Sequence, residues 1–146
     1  MSAGQENDGL EALFERARKV RTRAYAPYSR YRVGAVLEAS GGRIHVGCNV
    51  ENASYGLSLC AERSALARAV AEGDRRFRRI VLCADGPDPP VPCGACRQAL
   101  AEFEPRLAVH SEGDEGRRVR WGMETLLPER FSLTEGNPND RGGRRA

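Results

Sequence analysis

Apolar residues recur at helical spacing in the first well-patterned segment of the chain. Leu10, Leu13, Phe14, Ala17 and Val20 lie three or four positions apart, with charged residues between them. This spacing is typical of a helix that buries one face. We therefore predict a first helix over residues 9–23.

Two strand-like runs follow, and a short glycine turn separates them. Residues 31–39 and 43–50 are rich in β-branched and aromatic positions, and Ser40, Gly41 and Gly42 lie between them. Strand, tight turn and strand predict a β-hairpin. A loop is expected from residue 51 to residue 59.

The rest of the pattern alternates helices with strands. A helix is predicted over residues 60–72, and the nearly all-apolar run at 79–84 is typical of a buried central strand. A helix followed by a buried strand indicates a parallel crossover. The remaining predicted elements are a third helix at 93–103, strands at 106–110 and 118–121 around a polar turn at 111–116, and a helical turn at 124–127. We predict an α/β protein, a three-layer α-β-α sandwich with a mixed sheet of about five strands.

Length and composition support one folded unit. The chain has 146 residues, which suits a single domain with a sizeable core. Residues 1–9 and 134–146 are polar and rich in turn formers, so we expect flexible tails there and a catalytic domain over residues 10–133. Neither an export signal nor a membrane-spanning run is apparent, and a cytoplasmic location without membrane contact is expected.

The charge balance argues against a dedicated nucleic-acid binder. The chain carries 23 basic and 20 acidic residues, a formal net charge of +3, which is far from a dense positive field. Arginine runs at 75–79 and 117–120 keep an RNA-binding or editing module open as a less favoured alternative.

The cysteines indicate a metal site. Cys93 and Cys96 are three residues apart at a predicted helix start, and Cys60 opens the helix before it. Two such thiols suit neighbouring vertices of a tetrahedral zinc site, and helix starts favour thiolates. With Cys60 as third ligand, one vertex stays open for water, as in catalytic zinc sites. The alternative is a closed structural site whose fourth ligand is Cys48, Cys83, His45 or His110.

Glu62 follows Cys60 by two positions, so both can face one metal only if it lies beyond the end of the helix. A carboxylate there can take a proton from water at the open vertex and return it to a leaving group. The alternative is a first-turn glutamate that only favours the helix dipole.

Together these motifs resemble the signature of zinc-dependent nucleobase deaminases, and more narrowly the small homo-oligomeric cytidine deaminases of pyrimidine salvage. The segments that carry the resemblance are residues 26–35, 47–55, 60–63, 92–98 and 126–131. The resemblance implies one Zn²⁺ per subunit, with a bound water or hydroxide, held by Cys60, Cys93 and Cys96, with Glu62 as catalytic residue. It implies hydrolytic deamination of cytidine and deoxycytidine to uridine and deoxyuridine. A blasticidin-type antibiotic deaminase is the alternative within the superfamily.

The resemblance also assigns substrate contacts. Asn49 and Glu51 match positions that bind ribose hydroxyls, and Tyr31 matches an aromatic position, usually Phe, that packs on the pyrimidine. The further implied roles are base-edge contacts from the backbones of Ser54, Tyr55 and Ala61, hydrogen bonds to the zinc sulfurs from Arg63 and Gln98, and closure of a neighbour's pocket by Phe131. The implied assembly is a homotetramer with composite active sites.

Overall fold

The computed structural model describes residues 9–133, and the predicted tails lie outside this range except for Gly9. Its elements are α1 (Leu10–Arg21), β1 (Val33–Ala39), β2 (Ile44–Cys48), a 3₁₀ turn (Tyr55–Leu57), α2 (Ala61–Ala71), β3 (Phe77–Ala84), α3 (Gly94–Phe103), β4 (Ala108–Glu112), β5 (Arg118–Gly122) and α4 (Met123–Leu126). Within the described range, every helix is too short or too polar to cross a membrane.

The five strands form one mixed sheet in the order β2-β1-β3-β4-β5. β3 and β4 are parallel, and the other neighbouring pairs are antiparallel. Since β2 and β3 are both antiparallel to β1, they run in the same direction. The predicted crossover through α2 therefore exists, with β1 lying between the two strands that it joins.

Helices cover both faces of the sheet, as the sandwich prediction requires. On one face, Phe14 and Ala17 of α1 pack with Val36 and Val81. On the other face, α2 and α3 pack over the remaining strand residues of the core, which include Leu37, Ile80, Leu82 and Val109. Alternate residues of one strand thus enter different cores, as the two-residue period of a strand requires.

Two glycines allow the helices to approach the sheet closely. A Cβ atom at Gly34 would overlap the Ala17 carbonyl of α1, and one at Gly47 would overlap the Ala61 carbonyl and the Ala65 amide of α2. Only glycine fits such contacts without a shift of the backbone. Gly47 in particular fixes the depth at which the first turn of α2 lies on β2.

The predicted polar turn at 111–116 is partly wrong, because β4 continues to Glu112. Ser111 and Glu112 pair with Leu82 and Cys83 of β3, and Glu112 is buried. In the sequence, Glu112 and its polar neighbours resemble a turn. The arginines that pair with the buried carboxylate come from α1 and β5, so the local sequence does not reveal that Glu112 lies in a buried strand. β3 likewise begins at Phe77 instead of Arg79, since Phe77 packs edge-on against Phe103.

Candidate active site

Three thiols meet where α2 and α3 begin. Cys60 and Cys93 are the N-caps of α2 and α3, and Cys96 lies in the first turn of α3. The three Sγ atoms all lie within 4.8 Å of one another, and the Cys60 and Cys93 sulfurs are 3.8 Å apart. Tetrahedral Zn–S bonds of ~2.3 Å separate two sulfurs by ~3.8 Å. The thiol triad therefore fits a zinc ion.

The surroundings of the triad favour thiolates. A hydrogen bond from the Cys96 thiol, with further ones from Arg63 and Cys93, lowers the pKa of Cys60 to about 5 against the opposing effect of burial. The Arg63 guanidinium donates to the Cys60 sulfur at 3.7 Å. Two helix N-termini aimed at the same point add partial positive charge. Arg63 thus contacts one sulfur of the triad.

The four alternative ligands lie elsewhere. Within residues 9–133, no other cysteine, histidine or carboxylate joins the triad. Cys83 lies on the α1 face, where its Sγ contacts the Phe14 carbonyl, and His45 lies between Glu72 and Asp74. The described residues therefore leave one tetrahedral vertex without a protein ligand.

Glu62 lies beside the triad in the first turn of α2. Its side chain is nearly buried, with 6% of the residue exposed. Burial, reinforced by the charge of Cys60, raises the pKa of Glu62 to about 7, and no salt bridge within the described range includes it. A carboxyl group with a pKa near neutrality can both accept and donate a proton. A glutamate that only interacts with the helix dipole would need neither this burial nor this raised pKa.

A cleft of about 320 Å³ opens onto Cys60 and Cys93 of the triad and onto Glu62. Its lining includes these predicted site residues: Tyr31, Asn49, Glu51, Cys60, Ala61, Glu62 and Cys93. Its other walls are Ser29, Val33, Ser58, Leu59, Pro90 and Val91, which the sequence reasoning missed. Pro90 and Val91 immediately precede the Pro92–Cys93 motif, and that adjacency was the available signal.

The side chains of Asn49 and Glu51 shape the cleft through hydrogen bonds to backbone groups of residues 28–33. The Asn49 side chain accepts a hydrogen bond from the Val33 amide and donates one to the Tyr31 carbonyl, both at 2.8 Å. Glu51 Oε1 accepts hydrogen bonds from the amides of Tyr28 and Ser29 at 3.0 and 3.1 Å. Hydrogen bonds from Ser29 and Tyr28 hold the pKa of Glu51 below its ordinary value, so this wall is anionic at neutral pH.

Three predicted substrate residues lie outside the cleft lining. Tyr55 is 74% exposed, and its ring packs edge-on against Tyr28, with 5.9 Å between the centroids. Ser54, its neighbour, is exposed as well. Phe131 is 70% exposed. None of the three therefore contacts this cleft within residues 9–133.

The prediction that Gln98 donates a hydrogen bond to a zinc sulfur needs correction, because its side chain bonds to Phe131 instead. The Gln98 amide nitrogen donates to the Phe131 carbonyl at 2.9 Å, and its oxygen accepts from the Phe131 amide at 3.3 Å. Both ends of the side chain are thus bonded to one residue of the C-terminal segment. Sequence spacing alone does not reveal this pairing, because the partners are 33 positions apart.

Comparison with known proteins agrees with this geometry. Residues 8–111 match the family model of the cytidine and deoxycytidylate deaminase zinc-binding region. The cytidine deaminase of Sporosarcina psychrophila is 42% identical over 84% of this chain and 91% of its own length. A probable cytidine deaminase of Dictyostelium discoideum is 48% identical over 84% of each chain. The crystal structure of cytidine deaminase from Burkholderia pseudomallei superposes with a TM-score of 0.80 at 45% identity, covering 83% of this chain and 98% of that one.

Proposed function

Because the chain belongs to the cytidine and deoxycytidylate deaminase zinc-binding family, we propose that this zinc-binding enzyme deaminates cytidine and deoxycytidine to uridine and deoxyuridine in pyrimidine salvage. The observation that carries the proposal is a buried carboxyl group, Glu62, beside a zinc-fitting thiol triad at the base of a nucleoside-sized cleft. The three thiols also lie within the residues that match the family model, which is described as a zinc-binding region.

Cys60, Cys93 and Cys96 would hold the zinc ion, which when bound would supply a water with a lowered pKa, ~7, as the hydrolytic nucleophile. Glu62 would transfer two protons in turn, one from the attacking water to N3 and a second from the hydroxyl group formed at C4 to the amino group, so that the C4 carbonyl forms as the C4–N bond breaks and ammonia leaves. Its pKa of about 7 suits both directions of transfer. Arg63 and the N-termini of α2 and α3 offset the charge of three thiolates.

The cleft walls supply the nucleoside contacts. We assign Tyr31 to the pyrimidine face, Asn49 and Glu51 to the sugar hydroxyls, and the backbone of Ala61 to the base edge. The anionic Glu51 wall disfavours a 5′-phosphate on the substrate. A nucleoside is therefore preferred over its monophosphate.

We further propose that the protein is a homotetramer located in the cytoplasm, and exposed apolar side chains support the assembly. Large apolar residues with at least two-fifths of their surface exposed include Tyr25, Tyr28, Tyr31, Tyr55, Leu57, Val91 and Phe131, and Tyr31 and Val91 line the cleft itself. Tyr28 and Tyr55 are in ring contact, and exposed apolar side chains that lie together are typical of protein interfaces. In the tetramer, Phe131 covers the pocket of a neighbouring subunit, and Ser54 and Tyr55 complete the base-edge contacts.

The RNA-editing alternative is weakened by ion pairing. Arg78 and Arg79 of the first arginine run face Glu38, with Arg79 only 4% exposed. In the second run, Arg117 pairs with Asp88, and Arg118 pairs with Glu11 and Glu112. These runs join elements of the fold, which reduces the charge available to a phosphate backbone.

The decisive experiment combines zinc content with the loss of absorbance of cytidine. We expect one zinc per subunit and turnover of cytidine and deoxycytidine, with little turnover of deoxycytidine monophosphate. Turnover of a blasticidin-type substrate without turnover of cytidine would instead support the antibiotic deaminase. Stoichiometric zinc without turnover of any aminopyrimidine nucleoside would reject the proposal and support a structural zinc scaffold.

The assembly has its own test. We expect a solution mass near four times 16.0 kDa and partial recovery of activity when Phe131→Ala subunits are mixed with Glu62→Gln subunits, because mixed tetramers contain some intact composite sites. A fully active monomer would reject the tetramer. A tetramer without recovery would reject only the action of Phe131 across the subunit boundary.

A further inference from the structure

Two consecutive side chains of α3 hold the C-terminal segment, residues 126–131, directly beside the zinc ligands. Arg97 and Gln98 follow Cys96, and their side chains form hydrogen bonds with backbone atoms outside α3. We propose that Arg97 and Gln98 are positioning residues that form a backbone latch, which fixes both the loop before Cys93 and the segment that ends in Phe131.

Arg97 is the first half of the latch. Its Nε donates to the Pro92 carbonyl at 2.8 Å, and its Nη1 donates to the Leu126 carbonyl at 2.9 Å. One planar guanidinium therefore joins the residue before Cys93 to the end of α4. Pro92 is buried and has no amide hydrogen, so its carbonyl is its one backbone group that can form a hydrogen bond. Because Cys93 follows directly, the bond from Arg97 to this carbonyl limits how far the Cys93 thiol can move from Cys60 and Cys96.

Gln98 is the second half of the latch. Its amide bonds to both the N–H and the C=O of Phe131, as a neighbouring strand would. The Phe131 ring gains almost no packing in its own subunit, because 70% of the residue is exposed. Apolar burial therefore does not explain the position of Phe131, whereas its backbone hydrogen bonds do. The latch fixes the backbone and leaves the ring projecting outward.

The two halves share one helix turn with Cys96. Movement of residues 126–131 must break bonds to Arg97 or Gln98, and loss of the Arg97 bonds also releases Pro92. We therefore expect zinc retention and ordering of the C-terminal segment to be coupled through Arg97, whereas Gln98 acts on Phe131 alone.

The test uses the zinc-loaded full chain without nucleoside and follows hydrogen exchange of the Phe131 amide. Gln98→Ala removes both bonds and should speed this exchange about ten-fold, whereas Gln98→Glu keeps an acceptor for the Phe131 amide and should have a smaller effect. Phe131→Ala is the matched control, because it removes the ring and keeps the backbone bonds, so its exchange should stay near that of the parent chain. Equal exchange in Gln98→Ala and the parent chain would overturn the Gln98 half of the latch.

The Arg97 half is tested by the rate of zinc transfer to a chelator. Arg97→Lys keeps the charge but cannot hold two carbonyls in one planar fork, so zinc release should be about ten-fold faster. Gln98→Ala should release zinc at nearly the parent rate. Parent-like release from Arg97→Lys would show that Arg97 acts through its charge and would reject the bridge between Pro92 and Leu126. Solution mass is measured for every variant, so that a change in assembly is distinguished from loss of the latch.

A kinetic measurement adds the functional consequence, and this part alone rests on the proposed function. Gln98→Ala should raise KM for cytidine more than it lowers kcat, because Phe131 loses its fixed position while Glu62 and the thiols remain in place. Phe131→Ala should set the upper limit of that KM change. If the parent chain turns over no nucleoside, the proposed function fails, while the exchange and zinc-release measurements still decide the latch.

Discussion

Two glutamates are almost equally buried in this fold, yet their surroundings differ completely. Glu112, on the α1 face, is 4% exposed and accepts hydrogen bonds from Arg18 and Arg118 at 2.6 to 2.9 Å. Burial alone would raise the pKa of Glu112, but the two arginines outweigh it and hold the pKa below its ordinary value. Glu62, on the α2 face, has no such partner, and burial raises its pKa to about 7. A buried carboxylate that pairs with two arginines supports the fold, whereas a buried carboxyl group beside a cleft that forms no salt bridge with the described residues is available for chemistry.

The cysteines show the same contrast. Burial, with the nearby Glu112 carboxylate, raises the pKa of Cys83 to about 12, and its Sγ lies 3.8 Å from Glu112 Oε1. On the other face, hydrogen bonds lower the pKa of Cys60 to about 5. Cys83 therefore behaves as a small buried apolar residue, while Cys60 is prepared for a cation.

The largest effect is expected from Glu62→Gln. This variant keeps the shape of the side chain and removes its proton transfer, so kcat should fall by ~10²–10⁴ while zinc content is unchanged. Its stability should be equal or slightly higher, because a buried carboxyl group that forms no salt bridge with the described residues becomes a neutral amide. Steady-state kinetics, metal analysis and thermal unfolding check these three outcomes. Near-parental kcat in the zinc-loaded variant would remove Glu62 from the mechanism.

The contrast between the two faces of the sheet also shows which parts of the structure can be predicted from the sequence. The helices, the strands and the pairing of Cys93 with Cys96, three residues apart, are encoded by short-range spacing, and the structure confirms the fold. Cys60 lies 33 residues before Cys93, and it was predicted as the third ligand from its place at another helix start together with the family resemblance. The pairing of Glu112 with Arg18 joins residues 94 positions apart, and that of Gln98 with Phe131 joins residues 33 apart. Such contacts depend on how elements pack, so the strand around Glu112 and the partner of Gln98 were both predicted wrongly.

The next largest effect is expected from Cys96→Ala, in comparison with Cys83→Ala. Cys96→Ala removes a thiolate ligand, so both zinc content and folding stability should fall, because binding free energy at such a site is partly folding free energy. Cys83→Ala is the matched control on the opposite face and should cost only about 1 kcal/mol, with zinc unchanged. Metal analysis and chemical denaturation of both variants make the comparison. Full zinc occupancy in Cys96→Ala would require a different ligand set.

A second pair of variants displaces the helix on one face of the sheet at a time. Gly47→Ala places a methyl group against the backbone of α2, and Gly34→Ala does the same against α1. Both should destabilise the fold by ~1–3 kcal/mol, since backbone must move in each. Only Gly47→Ala should also weaken zinc retention and lower kcat, because Cys60 and Glu62 lie at the displaced helix start. Equal losses of zinc in both variants would mean that the two faces are not separable.

The smallest effect is expected from Glu112→Gln, which tests the paired side of the comparison. Arg18 and Arg118 keep their contacts with Glu11 at 3.1 and 2.6 Å, and both are more than a third exposed. The cost should therefore be ~1–2 kcal/mol at pH ~7, below that of breaking a fully buried pair. Zinc content and kcat should stay at their parental values.

The pH dependence of that cost follows from the sign of the pKa shift at Glu112. Because the folded-state pKa lies below the ordinary value of 4.5, the unfolded chain binds more protons as the pH falls. The stabilisation is complete above that ordinary value and is lost as the pH falls through the folded-state pKa. The difference in unfolding free energy between the parent chain and Glu112→Gln should therefore shrink from pH ~7 to pH ~3. Urea denaturation at both pH values measures it, and a difference that stays constant would mean that Glu112 contributes through packing and not through its charge.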